Sequence, residues 1–253
     1  MLVTPIKTHK ITLDDQSINN ILDQYIPELQ EKSIVAIASK IVAICERRVV
    51  EPNSSVDKNT IAKREAEYYL PREYNQYGFM ITINHNILIA SAGVDESNGN
   101  GNIILWPANP QQSANNIREY LCEKFNIKYV GVVITDSRTS PLRWGVTGVA
   151  LAHSGFAGIY SYIGKPDIFG RLMQAEKTNV ADTMATSAVA VMGEGDEQQP
   201  IATIQDIPFV EFQDRNPTQE ELDGSKISIG DDVFSSLLTA VKWEKGGNSK
   251  SDK

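Results

Sequence analysis

Three stretches of the 253-residue chain place carboxylates directly behind apolar runs. ILIASAGVD ends on Asp95 and continues with Glu96, Ser97 and Asn98. YVGVVITD ends on Asp136 and continues with Ser137, Arg138, Thr139 and Ser140, with Arg143 close behind. MGEGDE sets Glu194, Asp196 and Glu197 after a run of small apolar residues. Hard divalent cations such as Mg2+ and Mn2+ take oxygen donors, usually one or two carboxylates beside phosphate oxygens and water. Asp95, Asp136 and Glu194 lie far apart in the chain, so they form a site only where the fold gathers them. Taken singly, each is equally a turn former or a helix cap. Arg143, and Arg171 in GKPDIFGR, offer planar forks for phosphate or carboxylate, or else surface ion pairs of small worth.

Other chemistries have weaker support. GNGNIIL and MGEGDEQQ lack the Lys-Ser/Thr of a Walker loop, and there is no Rossmann glycine fingerprint. His9, His85 and His153 have no metal-type spacing, and His85 reads as a solvated turn residue. Ser154 in AHSGF does not match the hydrolase elbow. Cys45 and Cys122 suggest neither a disulfide framework nor a metal knuckle, which suits a reducing cytoplasm. A net charge of −8 argues against nucleic acid and against an anionic membrane as partners. No run approaches the roughly 20 apolar residues of a membrane span, and MLVTPIKTHK is no signal peptide, so a cytoplasmic location is expected.

The elements that must position these residues follow from hydrophobic period. Ile18, Ile21, Leu22 and Tyr25 share a helical face, with Asp14 and Asp15 at its start. SIVAIASKIVAI reads as one buried strand interrupted by Ser39 and Lys40, and EPNSSVDKNT as a loop. Residues 61–77 read as helical, then irregular around Pro71. FMITINHNILIASAGVD reads as a hairpin turning at NHN. A helix over SANNIREYLCEKFN is capped by Ser113, with Ile117, Leu121 and Phe125 on one face. YVGVVITD is a strand, and RWGVTGVALAHSGFAGIY, residues 143–160, is a glycine-rich buried strand region. NVADTMATSAVAVM is a helix stopped by Gly193, PIATI a strand, and DDVFSSLLTAVKW a last helix. The irregular alternation predicts a mixed α/β (α+β) fold, neither Rossmann nor P-loop. One unit is expected over 1–243, with room for two subdomains, and a disordered tail over 244–253.

In this order the stretches resemble the coenzyme F420-0:L-glutamate ligase family, the gamma-glutamyl ligases of the deazaflavin coenzyme. SAGVDESN is similar to the family's Asn-x-Gly-Ile-Asp-x-Ser-Asn, and VVITDS to its Ile-Ile-Thr-Asp-Thr. GKPDIFGR is similar to its Gly-x-x-Asp-x-Tyr-Gly-Arg, and VMGEGDE to its Met-Gly-Glu-Gly. The resemblance implies a GTP-dependent amide ligase with two divalent ions, Mg2+ or Mn2+, K+ as a further ion, and a homodimer. Its partners would be the nucleotide, L-glutamate and a carboxylated small-molecule acceptor. By matching motif, Asp95 and Asp136 would ligate one metal, and Ser137 and Glu194 the other. Thr8, His9, Lys10, Ile11, Ser39, Lys40, Asn98 and the run Met192, Gly193, Glu194, Gly195, Asp196 and Glu197 would contact nucleotide. Asp136 and Arg143 are the catalytic candidates, with Arg143 orienting the acceptor. The chain departs from the family at Ile44, where a lysine is usual, and at Arg138–Ser140. The second departure resembles a side branch for which a pterin carboxylate, as in folate glutamylation, is an alternative acceptor. A nucleotide-binding regulator that kept the fold is the non-enzymatic alternative.

Overall fold

The computed structural model describes residues 1–53 and 56–248. In chain order the elements are β1 (Leu2–Ile6), α1 (Ile18–Tyr25), β2 (Ser33–Ala38), α2 (Ser39–Cys45), β3 (Val49–Val50), α3 (Lys58–Glu65), β4 (Tyr68–Leu70), β5 (Ile81–Asn84), β6 (Ile87–Ala90) and β7 (Ile103–Ile104). Then come α4 (Pro110–Phe125), β8 (Val130–Thr139), β9 (Val146–Ser154), β10 (Ile159–Ser161), β11 (Lys177–Asn179), α5 (Val180–Met192), β12 (Ile201–Gln205), α6 (Gln219–Gly224), α7 (Ser235–Leu238) and β13 (Glu244–Lys245). This is an α+β fold, as the irregular alternation predicts.

The main sheet has the order β1-β12-β2-β8-β9. Its central pair, β2 with β8, is parallel, and the other pairings are antiparallel. β2 is buried on both faces, so it has no polar face to show. Val35 and Ile37 pack with residues of α1, α2 and α4, whereas Ile34 and Ala36 pack with α5. The alanines of α5 let that helix come close to the sheet. A Cβ at Gly148 of β9 would stand 2.5 Å from the Ala185 carbonyl oxygen, so glycine is what this approach demands. A second sheet, β13-β4-β5-β6, packs with α3 over a separate core that includes Ile61, Met80, Val94 and Leu105. Its β5–β6 hairpin turns on His85 and Asn86, both with positive φ, as the NHN reading predicts. Among the described residues, no helix is long and apolar enough to cross a membrane.

Several expected boundaries move. The apolar run 33–44 is not one strand: it stops at Ala38 and continues as α2, because an unbroken apolar run has no period that separates a strand from a buried helix. Asp14 and Asp15 precede α1, whose cap is Ser17. The last three residues of the expected loop EPNSSVDKNT, Lys58 to Thr60, belong to α3, which Asp57 caps. β4 occupies part of the stretch expected to be irregular, and it is too short to show a period. α4 starts at Pro110, capped by Asn109, and Ser113 instead hydrogen-bonds Glu46. The last helix shrinks to the four residues of α7, with Val233, Phe234 and Leu237 exposed. Glu244 and Lys245, expected in the tail, pair with Tyr69 and Tyr68, and Glu244 accepts a hydrogen bond from the Tyr69 hydroxyl. Residues 249–253 of that tail lie outside the described residues.

His153 on β9 is buried against Phe156, with ring centroids 5.2 Å apart. Burial pushes its imidazole down to about 4, opposed by the Glu221 charge. The unfolded chain takes up a proton near pH 6.5 and the folded chain does not. Stability is therefore unaffected above 6.5 and lost as pH falls from 6.5 toward 4, by about 2–3 kcal/mol at pH 4.5. Urea titrations of the parent and His153→Gln at pH 7.5 and 4.5 check this. Equal losses in both proteins would refute it.

Candidate functional site

One end of the main sheet gathers four segments because of its pairing. Ile201 faces Ile6 on one side and Ile37 on the other, and Ala38 faces Thr135. The chain therefore leaves β1, leaves β2, passes Thr135 and enters β12 all at the same end. Backbone bonds tie these segments: Thr8 N–H donates to the Gln198 carbonyl at 2.8 Å and Ala38 N–H to the Pro200 carbonyl at 2.9 Å. The result is a cleft of about 810 Å3. Its walls include Thr8, His9, Lys10, Ile11, Ser39, Lys40, Asp95, Asn98, Asp136, Ser137 and the whole run Met192–Glu197. Every residue expected to hold metal or nucleotide thus borders one cavity. Arg143 does not: it lies at the exposed tip between β8 and β9, beside the exposed Leu142 and Trp144.

The acidic endings differ from the sequence reading. β8 does not stop at Asp136 but runs on to Thr139. A register shift falls between Ile134 and Thr135: Ile134 faces Ala152 and Thr135 faces Ala150, leaving Leu151 as the extra residue on β9. Such a bulge re-aims the side chains that follow it. β6 stops at Ala90, and Asp95 lies beyond a turn in which Ser91, Ala92 and Gly93 all have positive φ (51°, 56° and 74°). Two consecutive non-glycine residues in that region mark a strained segment, a feature that clusters at functional sites.

Side chains interlock across the cleft. The Lys40 ammonium donates to Asp95 Oδ2 at 2.8 Å, to the Ser97 carbonyl at 2.9 Å and to Ser97 Oγ at 3.0 Å. Asp95 also accepts from the Ser97 N–H and hydroxyl, both at 2.8 Å. Asp136 Oδ1 accepts from Ser137 N–H at 2.8 Å, and Oδ2 from the indole N–H of Trp106. Ser137 Oγ donates to Glu194 Oε2 at 3.2 Å, and Asn98 Nδ2 to the Gly195 carbonyl at 2.9 Å. The ring of His9 is tied to Tyr25 and Asp15, which makes it a fixed wall.

The carboxylates differ in charge balance. Burial raises Asp136 to about 6, against the opposing pull of the Trp106 and Ser137 hydrogen bonds, because no cation pairs with it directly. Burial also raises Glu194. For Asp95 burial acts the same way, but the Lys40 ammonium and the Ser97 bonds together outweigh it and hold the carboxyl below its ordinary range. Among the described residues, no three His, Cys, Asp or Glu side chains form a ready-made cage for a metal ion.

Sequence reading gave no role to Trp106, Ser97 or Gly93. Gly93 carried a signal in its place two residues before Asp95 in SAGVDESN. Trp106 carried none, since a tryptophan before Pro107 looks like any core aromatic. Ile44 also borders the cleft and packs with Ile104.

The family model described as F420-0:Gamma-glutamyl ligase matches residues 5–206. "Coenzyme F420:L-glutamate ligase" of Methanococcus maripaludis strain S2 is 33% identical over 87% of this chain and 91% of its own length. The protein of the same name in Methanosarcina acetivorans is 33% identical over 72% of this chain and 77% of its own. That of Methanocaldococcus jannaschii is 40% identical, over 52% of this chain and 53% of its own. With the matched span covering most of the chain and both sides of the cleft, the chain belongs to the F420-0:gamma-glutamyl ligase family.

Proposed function

We propose that the cleft forms an amide between L-glutamate and a carboxylated cofactor precursor of the F420-0 type, using GTP and divalent metal. The observation that carries this is the convergence of Asp95, Asp136, Ser137 and Glu194 with Lys40 on one cavity. A carboxylate resists attack by an amine, so it must first be activated. An acceptor carboxylate oxygen would attack the γ-phosphorus and the nucleoside diphosphate would leave. The glutamate amine would then attack the acyl carbon of the mixed anhydride, and inorganic phosphate and a proton would leave. Lys40 would hold phosphate oxygens by a point charge, and Asn98 with the 193–197 loop would border the nucleotide.

The donor set fits hard cations. Asp136 and Glu194 are carboxylates that burial raises and no lysine or arginine neutralises directly. Mg2+ is commonly held by one or two carboxylates plus substrate phosphates, without an all-protein cage. Asp95 with Asp136, and Ser137 with Glu194, would hold the two ions, which when bound offset the charge on the phosphates during transfer. The protein's own donors would orient these ligands: Ser137 N–H is bonded to Asp136 and the Ser137 hydroxyl to Glu194.

Two subsidiary expectations follow from this reading. Arg143 lies outside the cleft wall, where only the acceptor's far end would reach it. Arg143→Lys is expected to raise KM for the acceptor about tenfold, equivalent to 1.4 kcal/mol, with nucleotide affinity unchanged. Unchanged acceptor kinetics would remove Arg143 from the site. A homodimer is expected, and light scattering should give twice the monomer mass at micromolar concentration. A constant monomer mass would refute that.

The deciding experiment offers labelled glutamate, GTP or ATP and Mg2+ or Mn2+ with a panel of carboxylates that includes F420-0 and a pterin carboxylate. The reading requires labelled amide and phosphate release only when acceptor and glutamate are both present. Amide on the pterin alone would move the assignment to a folate-type ligase. Tight nucleotide binding without turnover on any acceptor would leave a regulator.

A further inference from the structure

The indole of Trp106 touches the two halves of the site at once. Its N–H donates to Asp136 Oδ2, the carboxylate on the main sheet. Its ring covers Gly93, the last residue of the left-handed turn that leads to Asp95. A Cβ built at Gly93 would stand 2.1 Å from the indole Cε2 and Nε1 atoms. Any side chain there would push the indole off the carboxylate.

Trp106 is itself held on several sides. It is 4% exposed. Its carbonyl accepts from Arg48 Nε at 3.1 Å, and the same guanidinium pairs with Glu65 at 2.5 Å. The His85 ring meets the indole edge-on, with centroids 5.9 Å apart. Leu105 N–H donates to the Arg48 carbonyl at 3.0 Å. Arg48, Glu65 and His85 all belong to segments outside the main sheet. The indole is therefore a strut from the second sheet's side of the molecule to the carboxylate on the first.

We propose that Trp106 is a positioning residue that fixes the Asp136 carboxylate through its N–H and seats the Asp95 turn through its ring. Asp136 Oδ2 has one donor from this indole and Oδ1 one from its own strand, so both oxygens are oriented and the remaining lone pairs are available to the cleft. This inference rests on the reading of the cleft as a phosphoryl-transfer site, but its geometry can be tested without turnover.

Trp106→Phe keeps a ring over Gly93 and deletes the N–H. With one charge-assisted hydrogen bond lost, kcat is expected to fall about 10- to 100-fold, with KM for glutamate unchanged. A merely structural role would lower the unfolding midpoint instead and leave kcat per folded molecule intact. Indole 15N–1H spectra give the second readout. The protein has three tryptophans, and the resonance missing in Trp106→Phe identifies Trp106. That resonance is expected to move in Asp136→Asn, while those of Trp144 and Trp243 stay. An unmoved Trp106 resonance in Asp136→Asn, or kcat within twofold of the parent in folded Trp106→Phe, would overturn the proposal. If the parent itself ligates no acceptor, the ligase reading fails, and the spectra alone decide the role of Trp106.

Discussion

Replacing Asp136 with asparagine is expected to lower turnover on the order of 10^3-fold, while stability relative to the parent improves as pH rises from 4 to 8. The loss of turnover follows from the role of a fixed negative oxygen at the phosphate end of the cleft, since removing one preorganised electrostatic group typically costs 10^2- to 10^3-fold. The stability trend follows from charge. Burial lifts Asp136 from 3.8 to about 6, so the folded state resists ionising it. For an acid raised in this way, the stabilising contribution is present below about 3.8 and is lost as pH rises through 6. A shift of that size amounts to about 3 kcal/mol. Asp136 keeps some solvent contact at the cleft, so about 1–2 kcal/mol is the better expectation. Asparagine carries no charge to desolvate, but a single carbonyl oxygen cannot accept from both Trp106 and Ser137. The pH trend of the difference is therefore the test, measured by denaturant titrations of both proteins at pH 4 and pH 8. A difference that stays flat, or turnover within tenfold of the parent, would remove Asp136 from the centre of the site. Site residues that lower stability while serving function are a recognised trade-off.

Lys40→Met is expected to weaken nucleotide binding on the order of 10^2-fold and, without nucleotide, to tighten the binding of Mn2+. The ammonium makes three hydrogen bonds to Asp95 and Ser97 and acts on the charge balance of Asp136 and Glu194. Hydrogen bonds to charged groups contribute about 1.5–3 kcal/mol each, enough for the expected loss once the ammonium no longer meets a phosphate. The same ammonium competes with a divalent cation for Asp95 Oδ2, so its removal frees that oxygen. Methionine keeps most of the stem volume, which limits disruption of α2. Calorimetry of the parent and the variant, first with MnCl2 alone and then with nucleotide, separates the two effects. If nucleotide affinity is unchanged, Lys40 is only a structural partner of Asp95. If Mn2+ affinity falls, Asp95 is not a metal ligand.

The sequence by itself determined which residue types were available and about half of the residues that line the cleft. Oxygen-rich runs behind apolar stretches named Asp95, Asp136, Ser137 and Glu194, and motif order supplied the family and the segments around Thr8, Ser39 and Met192. Tertiary structure decided how they meet. An apolar run such as 33–44 carries no period that separates a strand from a buried helix, so only packing on α1 and α4 on one side and Ile104 on the other set α2 at Ser39. Asp136 looked like a strand end because hydrophobicity stops there. Backbone pairing does not need hydrophobic side chains, and β8 continues to Thr139 against β9. Arg143 looked close because it lies seven positions after Asp136, yet an extended hairpin carries it away from the cleft at about 3.3 Å per residue. Trp106 and Gly93 gave the opposite result. They lie 30 and 43 residues from Asp136 in the chain, and no local rule links them. Their contact exists because the second sheet packs its turn against the main one, and long-range contacts of that kind are fixed by the fold alone.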